Sequence, residues 1–338
     1  MNYRAPSWLP GGHAQTIWPA RFTHRGPTPR QRYRRERWAT PDADFIDVDV
    51  ALPFPTSPRG LLVLFHGLEG SSGSHYALAF AEYAHAQQLM FAVPHFRGCS
   101  GEINRAPRAY HSGDIEEIDW IMRRMRAMAG EHACGRLMAV GISLGGNALM
   151  RWAGVYGQEA ARLAQSIAAV SAPLDLTASG QALCQGLSRL LYTPMFLASM
   201  KPRALERLHL HPGLFDRQRL LAARNLEDFD NVFTAPIHGF QDAADYWRRA
   251  SAKPHLRAIV VPTLLLNAQN DPFVPAYSLP KQQDVSRHVT LWQPPQGGHV
   301  GFPSGRWPSH LQALPQAVGA FLCQDLHPLS RHQEAAHG

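Results

Sequence analysis

Three residues that could cooperate in nucleophilic hydrolysis each sit just past an apolar run. The stretch "LMAVGISLGGNALMRW" (137–152) carries Ser143 between Gly141 and Gly145. This is the G-x-S-x-G pattern, in which a serine is held on a sharp, strained strand-to-helix turn and its neighbours must be small. A bare match means little without a strand before it and a helix after it. "LMAV" and "GGNALMRWAGVY" supply both. A hydroxyl is a weak nucleophile, so it also needs a base and a group that orients the base. On this turn type the chain order is serine, acid, histidine. Asp271 in "LLLNAQNDPFVP" and His299 in "WQPPQGGHVGF" follow Ser143 in that order.

Attack by a serine on a carbonyl builds an oxyanion, which two backbone N–H groups must meet. The residue after the nucleophile, Leu144, provides one. The loop after an earlier strand provides the other. "LFHGLEGSSGSHY" (64–76) is that loop, and it points to the Leu68 N–H. Asp175 in "SAPLDL" competes with Asp271 as the acid. Asp175 is equally well explained as the N-cap of "LTASGQAL", whereas Asp271 precedes Pro272, whose fixed φ stiffens the turn holding the carboxylate. Cys99 in "HFRGCSGE" reads as a bystander. No HExxH or comparable ligand spacing occurs among the histidines, so no metal or other cofactor is expected.

These groups need a scaffold. Six apolar runs, at 61–65, 89–94, 137–142, 166–171, 258–267 and 289–293, do not alternate with polar residues. They predict strands buried on both faces of a mainly parallel sheet. Helical patterns separate them. One places Ile115, Ile118, Ile121, Met122, Met125 and Met128 on a single stripe, opened by an Asp114–Glu117 capping box. Upstream, "RRERWATPDADFIDVDVAL" predicts an antiparallel hairpin at the sheet edge. The fold class is therefore α/β. The gap between the fourth and fifth runs is too long for one crossover and is helical, which predicts a cap over the carboxyl edge of the sheet, where open α/β sheets bind ligands. The expected organisation is an N-terminal segment 1–30 packed on the core, a core of 31–173 and 256–324, a helical insertion 174–255, and a disordered tail 325–338. The apolar residues of the insertion (Leu187, Leu190, Leu191, Met195, Phe196, Leu197 and Met200) are expected to form its own core and its seam with the sheet. Met195, Phe196 and Met200 are the candidates for lining a substrate pocket.

At 45% hydrophobic and 17% charged, the 338 residues can bury a sizeable core. No secretory leader or membrane-spanning run is visible, and four separated cysteines read as reduced thiols of a cytoplasmic protein. Much of the net charge of +7 falls in "RGPTPRQRYRRER" (25–37). That run predicts a solvated face with at most weak, salt-sensitive attraction to anionic membrane surfaces. No nucleic-acid motif accompanies it.

The segments "WLPGGHAQTIWPA", "HGLEGSSGSHY", "HFRGCSGE", "GISLGGN", "FDNVFTAPIHGFQDAADYWRRAS", "NAQNDPFVP" and "GGHVGF" resemble the YheT-like group of α/β-hydrolase-fold proteins, from about Trp8 to Leu322. The resemblance implies an α/β-hydrolase fold with a helical cap and a serine esterase or lipase-like activity. It carries the triad over to Ser143, Asp271 and His299 but names no substrate. The expected activity is hydrolysis of small-molecule carboxylic esters of apolar acyl groups through an acyl-enzyme. An acyltransferase, a lipase acting on phospholipid or acylglycerol, and a non-catalytic binding protein on the same fold are the alternatives. Ser304 stands where some acyltransferases of this fold carry an aspartate after the histidine. The chemistry of "PGGHAQTIWP" does not follow from the residues, and neither does the oligomeric state.

Overall fold

Apolar runs without alternation become strands covered on both faces, except the run 289–293, an edge strand in which Thr290 is exposed and Leu291 and Trp292 are half-buried. Eight strands form one sheet in the computed structural model, which describes residues 3–22 and 32–324. Strands β1 (Arg32–Ala39) and β2 (Phe45–Leu52) make an antiparallel hairpin at one edge. Strands β3 (Leu61–Phe65), β4 (Met90–Pro94), β5 (Leu137–Ile142), β6 (Ser166–Val170), β7 (Thr263–Leu266) and β8 (Val289–Trp292) run parallel to one another. The order across the sheet is β1-β2-β4-β3-β5-β6-β7-β8. Every residue of β3, β4, β5 and β6 is buried, each Leu, Ile or Val stabilising the fold by about 1.5–3 kcal/mol.

Helices α1 (Gly11–Phe22), α2 (His75–Ala86), α3 (Ile115–Glu131), α4 (Leu144–Tyr156) and α5 (Gln158–Leu163) precede β6 or lie between its predecessors. Between β6 and β7 come α6 (Leu176–Leu183), α7 (Gly186–Leu191), α8 (Thr193–Leu210), α9 (Arg217–Ala222), α10 (Leu226–Phe229), α11 (Ala235–Ile237) and α12 (Ala243–Ala250), with a π-helical turn at Asp230–Thr234. Helix α13 (Ala313–Leu322) closes the chain. Apolar faces of α3 and α4 pack on one side of the sheet, and those of α2 and α13 on the other. From β3 the chain steps outward to β4, then returns to the far side of β3 as β5. The connection thus reverses direction between β3 and β5, and the crevice beyond their carboxyl ends is where a doubly wound sheet offers a binding site.

Three local expectations change. The run 258–267 is a strand only over Thr263–Leu266. Pro262 lacks an N–H and cannot extend the ladder, so Ile259 and Val261 enter the core from a loop instead. The Asp114–Glu117 capping box is half made. Asp114 Oδ1 accepts from the Glu117 N–H at 3.2 Å. The Glu117 carboxylate does not return to Asp114, because it serves the buried Arg97 at 2.5 Å. In the basic run, Arg35 forms a two-pronged pair with Asp49, Arg37 pairs with Asp47, and Arg34 pairs with Glu36. These partners offset part of the charge of the described arginines, which themselves stay exposed as a solvated face. Residues 23–31, and the tail expected at 325–338, lie outside the described residues. Among the described residues no helix is long and apolar enough to cross a membrane.

Candidate active site

Strand β5 ends at Ile142, and the backbone turns at Ser143 with φ 52° and ψ −118° before α4 begins. This is left-handed backbone that a serine adopts only under constraint. The constraint comes from close packing beneath the turn. A Cβ on Gly145 would lie 2.5 Å from the carbonyl oxygens of Phe65 and His66, so the elbow can seat on β3 only with glycine there. Asn147, fully buried one turn into α4, ties the elbow down. Its amide donates to Ser112 and to the Ala250 carbonyl at 2.9 Å, and its oxygen accepts from the Ala252 N–H.

The loops after β5, β7 and β8 bring the three expected residues together. His299 Nε2 lies 2.9 Å from Ser143 Oγ, and His299 Nδ1 lies 2.9 Å from Asp271 Oδ2. The Asp271 carboxylate is fully buried. Its Oδ1 also accepts from the N–H groups of Phe273 and Val274, a local turn that Pro272 leaves open by having no N–H of its own. Phe273 stacks on the imidazole with ring centroids 4.1 Å apart. Asp175 lies elsewhere. It caps α6 by accepting from the Ala178 N–H and faces Lys253 at 3.9 Å.

The loop after β3 is held rigid by the side chains of His66 and Tyr76. The Phe96 N–H donates to His66 Nε2, so the proton sits on Nδ1 and is donated to the Gly67 carbonyl at 2.8 Å. Burial holds His66 neutral, its pKa pushed down to about 3. The Gly67 N–H donates to the Tyr76 hydroxyl at 3.0 Å. Leu68 follows, and Leu68 and Leu144 border the same cavity as Ser143. Among the described residues neither Leu68 N–H nor Leu144 N–H has a protein acceptor, as expected of the first turn of α4 in the case of Leu144.

The stretch "PGGHAQTIWP" finds its chemistry here. Helix α1 grips the loop that carries His299. Thr16 Oγ1 accepts from the His299 N–H at 2.8 Å, and Gln15 Oε1 accepts from the Gly297 N–H and the Asn270 amide. Asn270 Oδ1 in turn accepts from the Gly298 N–H. The approach is so close that a Cβ on Gly12 would fall 1.8 Å from the Asn270 carbonyl oxygen. Gln15 is fully buried, so Gln15→Leu orphans two donors. We expect that variant to lose at least about 2 kcal/mol in urea unfolding. Thr16→Val frees the backbone N–H of His299 and removes the hydroxyl's own bond to the Gly12 carbonyl. Steady-state kinetics on a chromogenic short-chain ester should show kcat down by about tenfold with KM little changed, as for a base displaced without loss of binding.

Two cavities meet at Ser143 and His299. The first, about 160 Å³, runs between the sheet edge and α6, α8 and α10 and is bordered by Met200 and Phe196. The second, about 290 Å³, lies toward α1 and is bordered by Met195, Phe196, Ile17 and Tyr192. Phe196 thus stands at both, whereas Met195 and Met200 each face one. The apolar residues expected to form the core of the insertion divide. Leu197 is buried, but Leu187, Leu190, Leu191 and Met195 are exposed. Short α7 makes one shallow contact face, too narrow to cover all of its leucines. Cys99 is buried beside Arg203, and burial pushes its thiol up to about 12. Native protein treated with iodoacetamide near pH 8 should therefore show no adduct on Cys99 by peptide mass spectrometry.

The model of the alpha/beta hydrolase fold family matches residues 60–305. YheT of Escherichia coli K12 is 39% identical over 80% of this chain and 78% of its own length. A protein named Phospholipase ABHD3 from Homo sapiens is 26% identical over 91% of this chain and 75% of its own. One named Monoacylglycerol lipase from Saccharomyces cerevisiae is 28% identical over 80% of this chain and 59% of its own. Among solved structures, the Pyrococcus furiosus esterase Pf2001 superposes with a TM-score of 0.55 at 14% identity, covering 87% of this chain and 91% of that one. The last likeness is one of fold.

Proposed function

Because this chain belongs to the α/β-hydrolase-fold family, with YheT among its relatives, we propose that it is a serine hydrolase cleaving carboxylic esters of apolar acyl groups. The observation that carries this reading is the unbroken line Asp271, His299, Ser143, with both links at 2.9 Å, opening on cavities with apolar walls. In the reaction His299 Nε2 takes the Ser143 proton as Oγ attacks the ester carbonyl. Asp271 holds the Nδ1–H tautomer and stabilises the imidazolium. The Leu68 and Leu144 N–H groups receive the oxyanion. His299 then protonates the departing alkoxide, leaving an acyl-Ser143 that water, deprotonated by the same imidazole, releases.

In this reading the described residues 32–173 and 256–324 are the catalytic core, 174–255 is a cap over it, and 3–22 packs on the core. Met195, Phe196 and Met200 contact the acyl group. Relatives named phospholipase and monoacylglycerol lipase support a lipid-directed form of the same chemistry. Four free cysteines support a cytoplasmic setting. Contact of the 25–37 run with anionic membranes would be weak, given the pairing of Arg34 with Glu36 and of Arg35 and Arg37 with Asp49 and Asp47 of β2, and lost at high salt. The test is turnover of p-nitrophenyl esters from acetate to palmitate, with Ser143→Ala as control. Turnover confined to peptides, or absent on every acyl ester, overturns the proposal.

A further inference from the structure

One wall of the first cavity carries three guanidinium groups, and their partners differ. Arg97 is committed to Asp42, Asp44 and Glu117. Arg203 shares Glu69 Oε1 with the Tyr110 hydroxyl, at 3.2 Å and 2.9 Å. Arg207 is 2% exposed and has no carboxylate within ion-pair distance among the described residues. Its Nη1 donates to the carbonyls of Ala106 and Arg108 at 2.7 Å and 2.5 Å, which fixes the plane of the group. Its Nη2 faces Gly98, where an added Cβ would sit 3.7 Å away. Asp230, the other acid on this wall, is taken up by Thr234 and by the Trp247 indole. A buried cation without a counter-ion is costly to maintain. Desolvation also pushes the Arg207 pKa down, against the longer-range attraction of Asp44, whose carboxylate is already paired with Arg97.

The position of Arg207 says where the partner belongs. Phe196, Met200, Arg203, Ala204 and Arg207 all border this cavity from α8. Their spacing puts them on one helix face. Phe196 marks the catalytic end, since it packs on Phe273, which stacks on His299. Arg207 is eleven residues further along, or roughly 16 Å at 1.5 Å per residue. Between them Met200, Ala204, Leu183, Phe229 and Phe233 give mostly apolar walls, and Arg203, the charged residue of α8 in this stretch, is engaged by Glu69. The slot is therefore graded, with a nucleophile at one end, an apolar middle and an unpaired guanidinium at the other.

We propose that this slot binds a chain ending in an anion, a carboxylate or a phosphate, with Arg207 as the group that recognises it. The substrate class becomes esters of medium-length apolar chains whose end remote from the ester is negatively charged. This deepens the ester-hydrolase reading and rests on it for the reaction, though not for the binding.

The test separates the two. Monoethyl suberate and ethyl octanoate differ only by a terminal carboxylate in place of a methyl, and ethyl 8-phosphonooxyoctanoate supplies the phosphate arm. Each is titrated by calorimetry into Ser143→Ala protein, which cannot turn them over. We expect one or both anionic esters to bind at least about tenfold more tightly than ethyl octanoate, as for one charge-assisted pair made away from water. The arm that shows the advantage identifies the anion. In Ser143→Ala/Arg207→Gln the advantage should fall below about twofold, and Arg207→Lys should keep part of it. Arg189→Gln, on the exposed face of α7, should keep all of it, excluding a general attraction to a basic protein. Equal binding of all three esters, or an advantage that survives Arg207→Gln, overturns the proposal. If Arg207→Gln does not fold, the Ser143→Ala comparison and the Arg207→Lys arm still decide. Wild-type enzyme that prefers the anionic ester in binding but hydrolyses no ester refutes the reaction and leaves the anion site standing. Hydrolysis with no preference does the reverse.

Discussion

Ser143→Ala protein is expected to fold normally and to lose ester turnover by a factor on the order of 10⁴ to 10⁶. Hydrogen in place of the hydroxyl removes the attacking atom and nothing that holds the elbow. The turn is held by the packing of Gly145 on β3 and by the four hydrogen bonds of Asn147, none of which involves Ser143 Oγ. Because serine and histidine act as one unit, Ser143→Ala/His299→Ala should be no slower than either single variant. Multiplying losses would mean that the two residues work independently. Kinetics on a p-nitrophenyl ester, with circular dichroism as the folding control, would read both results.

The second large effect concerns the acid. Asp271→Asn is expected to lower kcat by a factor on the order of 10² to 10⁴, as for the equivalent change in a serine protease triad. An amide keeps the size of the carboxylate but not its charge. It also offers His299 Nδ1 an NH₂ donor where only an acceptor suits the reactive tautomer. Two backbone N–H groups, those of Phe273 and Val274, would still find the remaining oxygen, so the loss should fall on turnover more than on stability. Asp175→Asn should cost far less in turnover, since asparagine caps a helix about as well as aspartate. Inactive Asp175→Asn beside active Asp271→Asn would reassign the triad.

Much of this was legible in the sequence because the chemistry there is local. Ser143, Asp271 and His299 each follow a strand, and strands buried on both faces announce themselves as short unbroken apolar runs. Small residues around Ser143 report a close approach of backbones. Other parts were hidden because they depend on distant partners. The grip of Gln15 and Thr16 on the histidine loop joins residues 282 and 283 positions apart, and no periodicity encodes such a contact. "PGGHAQTIWP" showed polar residues in an apolar, glycine-rich stretch, a hint that buried hydrogen bonds were to be satisfied, but not with what. Leu187, Leu190 and Leu191 read as core because apolar residues on a helix normally find cover. Which of them do is decided by neighbouring helices. Arg207 is the opposite case, a residue type read as surface whose burial follows from the fold around α8.

The most direct test of the central claim is to react the native protein with a fluorophosphonate and map the adduct by peptide mass spectrometry. A phosphonylated serine forms only where a base has activated the hydroxyl and an oxyanion site receives the developing charge. One adduct per chain is expected, on the peptide containing Ser143, and Ser143→Ala protein should carry none. An adduct on any other residue, or labelling of Ser143→Ala equal to that of wild type, would contradict the account.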